Sequence, residues 1–85
     1  MGKIRRLEAK PEAIDTEKRT ITVSILHGHR PGREEFRLGG KYKELDEEEF
    51  RRMAINLIGK YGGSYIIFVL EDDEIIDILV PSEEG

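Results

Sequence analysis

The chain has 85 residues, of which 38% are charged, and it contains no cysteine. This length suits one domain over residues 1–85 with a small core, and the lack of cysteine excludes disulfides, thiolate nucleophiles and cysteine-ligated zinc. No apolar run is long enough to span a bilayer and the first residues lack the apolar stretch of a signal peptide, so we expect a cytoplasmic protein that does not enter membranes.

Charge is distributed unevenly along the chain. Residues 1–43 carry 11 Lys or Arg against 6 Asp or Glu, a net charge of +5, whereas residues 44–85 carry 3 against 12, a net charge of −9. Such asymmetry can mark a binding face. It also arises when opposite charges pair across the folded surface, and this is the interpretation that we favour.

The first predicted element is a long strand with an interruption. It covers residues 3–9, stops at residues 10–11 and resumes over residues 12–14. Because proline donates no hydrogen bond to a sheet, Pro11 indicates an edge, a bulge or a sharp bend. Residues 15–18 then form a turn, with Asp15 at its first position.

Two further strands follow. Residues 19–27 alternate regularly, with Ile or Val at positions 21, 23 and 25 and Thr or Ser at positions 20, 22 and 24. Residues 28–32 are predicted to form a loop, in which Pro31-Gly32 fits the centre of a type II turn. The third strand covers residues 33–38 and places Phe36 and Leu38 on its apolar face.

A helix is predicted over residues 46–61. Asp46 suits the N-cap and Glu49 completes a capping box, while Leu45 and Phe50 can form a hydrophobic staple. Apolar residues recur at the spacing of one helical face, and Gly62 suits the C-cap. Two largely apolar strands follow, over residues 64–71 and 75–80, joined by a tight acidic turn.

The resulting order is β-β-β-α-β-β, in the α+β class with mostly β structure. The long interrupted first strand and the helix between strands three and four resemble the OB-fold, a small five-stranded barrel, over nearly the whole chain. The alternative is a strongly bent antiparallel sheet with the helix packed on one face. Strands four and five are apolar on both faces, so their second face either lies under another element or meets a partner, as a homodimer or with another protein.

The resemblance to OB-folds implies binding of single-stranded nucleic acid or oligosaccharide on strands two and three. Such a site needs cations along a groove and aromatic rings for stacking. The outward positions of strand two carry Thr and Ser instead of rings, so the sequence favours other functions over nucleic-acid binding. The candidate nucleic-acid face consists of Arg30, Arg33, Arg37, Lys41, Tyr42 and Lys43.

The sequence nominates neither a catalytic site nor a cofactor. His27 and His29 are spaced to hold zinc or copper, but no third ligand is evident and a pair of exposed loop histidines is the simpler interpretation. The serines lack a nucleophile motif and the glycines form no phosphate-binding loop. We therefore expect no enzyme activity, no metal and no cofactor. Asp77, within an apolar strand, is expected to face solvent.

Local signals agree with one another along the whole chain, from strand alternation to helix caps. This consistency resembles that of a computationally designed protein on an OB-like or related small-barrel backbone. Asp72-Asp73 is an exception, since a designer would choose Asn-Gly or Asp-Gly, and a natural domain from a thermophile would share the richness in charge. Three functions remain: a scaffold without evolved activity, which we favour, a protein-interaction module using strands four and five, and a binder of single-stranded nucleic acid.

Overall fold

The computed structural model describes residues 2–27 and 30–80, with the backbone alone described for residues 26, 27, 30 and 31. These residues form five strands, an α-helix and a 3₁₀ helix. In chain order the elements are β1 (Ile4–Asp15), β2 (Thr20–His27), β3 (Arg30–Leu38), the 3₁₀ helix (Gly40–Glu44), α1 (Glu47–Tyr61), β4 (Ile66–Glu71) and β5 (Glu74–Leu79). The predicted α+β, mostly β class is confirmed, whereas the 3₁₀ helix was not predicted.

The strands close into a barrel in the order β1-β2-β3-β5-β4, and β4 pairs back onto β1. Closure selects the barrel over the open, bent sheet. The strand pairs are antiparallel except for β3 with β5, which run parallel and pair only Arg37 with Glu74 and Leu38 with Ile75. Because this parallel seam is short, most of β3 pairs with β2 alone among the strands that the structure describes.

The strand β1 serves two neighbours in succession. Residues 4–9 pair with β4 and residues 10–15 pair with β2. The register with β2 shifts between Pro11 and Ala13, so Glu12 is an extra residue on the β1 side. A bulge of this kind bends a strand and increases its twist, which lets β1 turn a corner of the barrel. The irregularity predicted at Pro11 is therefore a bulge within one continuous strand.

The predicted loop over residues 28–32 is wrong at its C-terminal side. Pro31 and Gly32 belong to β3, where they pair with Leu26 and Ile25. Proline is tolerated in a strand when its missing N–H would point away from the paired neighbour. That condition holds at Pro31, because β5 pairs with β3 only at Arg37 and Leu38.

The barrel interior is apolar, and the part of the chain that the structure describes contains no buried polar or charged side chain. Alternate positions of the strands point inward, and α1 adds Phe50 and Leu57 to the same cluster. Full burial of a Leu, Ile or Phe side chain contributes about 1.5–3 kcal/mol to stability. The buried cluster comprises Ala9, Ile21, Val23, Ile25, Phe36, Leu38, Tyr42, Phe50, Leu57, Ile66, Phe68, Leu70 and Ile75.

The ends of α1 follow the sequence signals. The Glu49 N–H donates to Asp46 Oδ1 at 2.8 Å and the Asp46 N–H donates to Glu49 Oε1 at 3.0 Å, so the predicted capping box is confirmed. At the other end the Gly62 N–H donates to the Ile58 carbonyl at 2.9 Å. Gly62 is the C-cap, but the left-handed conformation falls on Gly63, whose φ is +96°.

Candidate binding surfaces

The predicted nucleic-acid face divides between two places in the fold. One is the outward face of β3, where Arg33 lies opposite Ser24 of β2. Its Nε atom lies 3.0 Å from Oε1 of Glu12, the extra residue in the β1 bulge. Arg33 is therefore exposed but neutralised by a neighbouring carboxylate. For Arg30 the structure describes the backbone alone, so its contribution stays a prediction.

The other basic residues gather around β5. The Lys41 ammonium lies 2.9 Å from Asp77 Oδ1, and the carboxylate oxygens of Glu74 lie 3.5 Å from Lys43 Nζ and 3.9 Å from Arg37 Nη1. The basic residues come from the N-terminal half of the chain and the carboxylates from the C-terminal half. Opposite charges thus pair across the folded surface, as the favoured interpretation of the charge asymmetry expects.

Asp77 faces solvent, as predicted, with 42% of its side chain exposed. The Lys41 ammonium donates a hydrogen bond to its carboxylate, and the Ile78 N–H donates another at 2.9 Å. Both favour the ionised form, so the pKa of Asp77 lies below its usual value of 3.8. The carboxylate is therefore a fixed anion and not a candidate general acid near neutral pH.

Tyr42 does not belong to an exposed face. Its side chain is 6% exposed and lies in the barrel core, so the prediction of a stacking platform at this position is wrong. The 3₁₀ helix, which the sequence pattern missed, turns Tyr42 inward while the flanking Lys41 and Lys43 stay exposed. Burial, aided by the negative charge of Asp77, raises the pKa of the Tyr42 phenol to about 12.

A different ring lies beside the expected face. Lys10 pairs with Ser24, which pairs with Arg33, so these three side chains form an outward row across β1, β2 and β3. Tyr65 continues the row just before β4: its ring centroid lies 5.2 Å from Lys10 Nζ, and 38% of the residue is exposed. The signal was available in the sequence, since Tyr65 has the opposite parity to the core residue Ile66.

Toward the β1–β2 turn the same outward face becomes acidic. The side chains of Asp15, Glu17 and Glu35 line a shallow depression together with Thr22. The N–H groups of Lys18 and Glu17 donate to the Asp15 carboxylate, which holds its pKa below 3.8. A phosphate backbone that crossed the face of β2 and β3 would therefore meet carboxylates as well as cations.

The second apolar face of β4 and β5 is smaller than the sequence suggests. Ile67 and Val69 point outward but are partly buried between β1 and β5, where Ile67 pairs with Leu79 and Val69 pairs with Asp77. Exposure concentrates at the end of β5, where Leu79 is 40% exposed and Val80 is 45% exposed. The charge of Asp77 interrupts the outward face, on which Leu79 lies beside Ile67, whereas Val80 lies on the other side of the strand, toward α1.

A groove of about 490 Å³ lies between β5 and α1. Its apolar lining comes from Met53, Leu57 and Tyr61 on the helix and from Ile78 and Val80 on the strand side, and Tyr42 also contributes. The helix contributes polar side chains to the lining as well, including two cations. These polar residues are Glu49, Arg52, Asn56 and Lys60.

Metal and membrane features can be assessed for the described ranges. Within residues 2–27 and 30–80, no group of three or more His, Asp or Glu side chains is placed to hold a metal ion. His29 and the His27 side chain lie outside the described parts, so the histidine-pair hypothesis stays a prediction. None of the helices in these ranges is both long and apolar enough to cross a membrane.

Comparison of the chain with protein-family models, with curated proteins and with solved structures finds no match. The chemistry of the surfaces themselves is therefore the basis for a proposal. They offer cations held by carboxylates, one exposed ring next to Lys10, and an apolar groove with Arg52 and Lys60 at its edge.

Proposed function

We propose that the chain is a small OB-like barrel designed as a scaffold, without an evolved biochemical activity, and located in the cytoplasm of the cell that expresses it. The strand order around the barrel and the helix between β3 and β4 support the OB-like assignment. Agreement between local signals and structure supports design, since the capping box, the strand alternation and the apolar core are all of the kind that a designer specifies.

The observation that carries the proposal is the neutralised basic face. Where their side chains are described, the cations nominated for phosphate binding each lie within 4 Å of a carboxylate. Phosphate contacts derive their free energy from unpaired cations that release counterions. The pairs formed with Glu12, Glu74 and Asp77 therefore favour a surface built for solubility over a surface built for an anionic polymer.

The first test measures binding and stability of the unaltered protein. Fluorescence anisotropy with labelled mixed-sequence single-stranded DNA and RNA should show no saturable binding, even at low salt where attraction is least screened. Circular dichroism should show a midpoint of thermal unfolding above about 90 °C, as idealised designs commonly do. Binding that weakens steeply with salt would contradict the scaffold proposal and favour the nucleic-acid alternative.

A matched pair of variants tests the neutralised face itself. The triple variant Glu12→Gln, Glu74→Gln, Asp77→Asn removes the carboxylates that hold the nominated cations. The control is Glu44→Gln, Glu47→Gln, Glu71→Gln, which changes the net charge equally at carboxylates for which no ion pair is found among the described residues. Salt-sensitive DNA binding should appear in the first variant only. Equal binding by both would mean that net charge, not pairing at this face, controls the interaction.

The groove between β5 and α1 favours a second candidate function, a protein-interaction module. Its apolar lining, which includes the exposed Val80, offers a surface for apolar side chains. Lys60 lines the groove and fits a carboxylate, whereas Arg52 already lies 3.6 Å from Glu48, so the favoured partner is a protein segment with apolar residues flanked by Asp or Glu. This candidate extends the predicted partner surface of strands four and five onto the helix.

An NMR titration distinguishes this module from an inert scaffold. The probe is a short peptide of leucines flanked by glutamates, and the same peptide with lysines in place of the glutamates tests the charge argument. Met53→Asp, in the groove, should abolish the shifts, whereas Ile55→Asp, on an exposed side of α1 outside the groove, should not. If the acidic peptide causes no saturable chemical-shift changes, the interaction module is excluded and the scaffold proposal remains.

A further inference from the structure

Among residues 2–27 and 30–80, no strand pairs with one edge of β3 over most of its length. This strand has nine residues, but β5 pairs with only its last two, Arg37 and Leu38. Residues 32–35 pair with β2 on one side and are exposed. An open edge of this length presents backbone N–H and C=O groups on which another strand can pair.

The hydrogen-bonding phase shows which backbone groups face the open side. The Leu38 N–H donates to the Arg19 carbonyl at 2.9 Å, on the β2 side, and the Gly39 N–H donates to the Ile75 carbonyl at 2.8 Å, on the opposite side. The register between β2 and β3 is unbroken, so the alternation extends back along β3. Arg33 and Glu35 therefore direct their N–H and C=O groups to the open edge, and Glu34 directs its groups to β2.

A second copy of the chain can pair with this edge about a two-fold axis. Two antiparallel β3 strands related in this way must oppose residues of the same face. In the register centred on Glu34, Arg33 of each copy lies opposite Glu35 of the other. Those two positions carry the open backbone groups, so four main-chain hydrogen bonds can form, and side chains of opposite charge that contact Glu12 and Thr20 within one copy also meet across the pair. The same register places Glu34 directly opposite Glu34 of the second copy.

We propose that the open edge of β3 has the geometry to pair with a second copy of this chain, and that the charge of Glu34 opposes this pairing and keeps the unaltered chain monomeric. Glu34 pairs with the buried Val23 and so has the parity of the core, but it lies exposed beyond the barrel interior. Like charges directly opposite each other in a sheet are destabilising, and a charge with inward parity is a known protection of strand edges. The proposal is independent of the scaffold assignment.

Sedimentation velocity measures the oligomeric state of matched variants. The unaltered protein should be monomeric, and Glu34→Val should form a dimer at least about tenfold tighter than the unaltered protein or the control Glu44→Val. Glu44 is exposed in the 3₁₀ helix, away from the β3 edge, so the control makes the same chemical change elsewhere. Glu34→Gln removes the charge without adding an apolar side chain and should shift the equilibrium in the same direction.

Two further measurements locate the interface. In the Glu34→Val background, Arg33→Pro removes an N–H that faces the open edge and not β2, so it should restore the monomer while the circular dichroism spectrum is kept. Amide hydrogen exchange at Arg33 and Glu35 should be fast in the monomer and slow in the dimer. A folded Glu34→Val protein that stays monomeric would overturn the proposal, and so would a Glu34→Val dimer that Arg33→Pro does not weaken. A dimer of the unaltered protein would refute the role of Glu34.

Discussion

The guanidinium of Arg19 donates a 2.7 Å hydrogen bond to the carbonyl oxygen of Leu45. The same group donates to the Tyr42 carbonyl at 3.2 Å and lies 4.7 Å from the centroid of the Phe50 ring. Arg19 sits at the turn between β1 and β2 with a φ of +57°, so one side chain joins this turn to the junction of the 3₁₀ helix and α1. This contact ties the β1–β2 turn to the residues that lead from the 3₁₀ helix into α1.

Arg19→Ala should therefore lower the free energy of unfolding by about 2–3 kcal/mol, because it leaves two carbonyls and the Phe50 face without their partner. Arg19→Lys should retain only part of this stability: both hydrogen bonds come from the single nitrogen Nη1, which an ammonium can imitate, but an ammonium has no planar group to stack on the Phe50 ring. Urea unfolding provides the measurement. The control Arg51→Ala, on the exposed surface of α1, should stay within about 0.5 kcal/mol of the unaltered protein. Equal effects of the two alanine variants would refute the bridging role.

The turn between β4 and β5 gives a prediction in the stabilising direction. Asp72 and Asp73 have φ values of +50° and +72°, the conformation in which glycine is favoured over other residues. Asp73→Gly should raise the free energy of unfolding by about 0.5–1 kcal/mol, since its 3.4 Å contact with Arg5 is exposed and weak. Asp72→Gly should raise the free energy of unfolding by less, because it removes the hydrogen bond that Asp72 Oδ1 accepts from the Lys3 N–H. Thermal melts of both variants test this order, which fails if Asp72→Gly is the more stable.

The elements that sequence analysis predicted well are those fixed by nearby residues. The helix begins after Asp46 because two hydrogen bonds between Asp46 and Glu49 satisfy its first turn, and both partners lie within four positions. The acidic turn at Asp72 and the alternation of β2 are equally local. Strand parity also placed Phe36 in the core.

The features that sequence analysis missed depend on contacts between distant residues. Pro31 can join β3 because the backbone alternation points its nitrogen away from β2, to an edge where none of the described strands pairs with it, which is a property of barrel closure. Tyr42 is buried in a core that distant strands build, and its carbonyl accepts a hydrogen bond from Arg19, 23 positions earlier. Neither relationship has a signature in a short window of sequence. The partners of Lys41 and Lys43 on β5 likewise required the fold.

The buried phenol of Tyr42 predicts a loss of stability at high pH. Its pKa is about 12 in the folded state against 10 in the unfolded chain, so the folded state retains the proton that the unfolded state releases first. The stability that the protonated phenol contributes is fully present below pH 10. It is lost as the pH rises through 10 toward 12, and the free energy of unfolding falls by up to about 3 kcal/mol.

Denaturant melts across this pH range test the role of Tyr42. Tyr42→Phe should remove the alkaline fall in stability, whereas Tyr65→Phe, at an exposed ring, should keep it. Ultraviolet absorbance of the phenolate gives an independent titration of the folded protein. An unchanged alkaline profile in Tyr42→Phe would assign the fall to other groups.

The pair formed by Lys41 and Asp77 predicts a small effect at acid pH. The folded pKa of Asp77 lies below 3.8, so its contribution is present above that pH and is lost as the pH falls through the folded value. Both side chains are substantially exposed, at 62% and 42%, and solvent limits the contribution to less than about 1 kcal/mol. Asp77→Asn removes the charge but keeps an acceptor for the Ile78 N–H, so Asp77→Ala should cost more stability. A double-mutant cycle with Lys41→Gln should give a coupling free energy that shrinks as salt is added, and a coupling that is insensitive to salt would exclude the ion pair as its source.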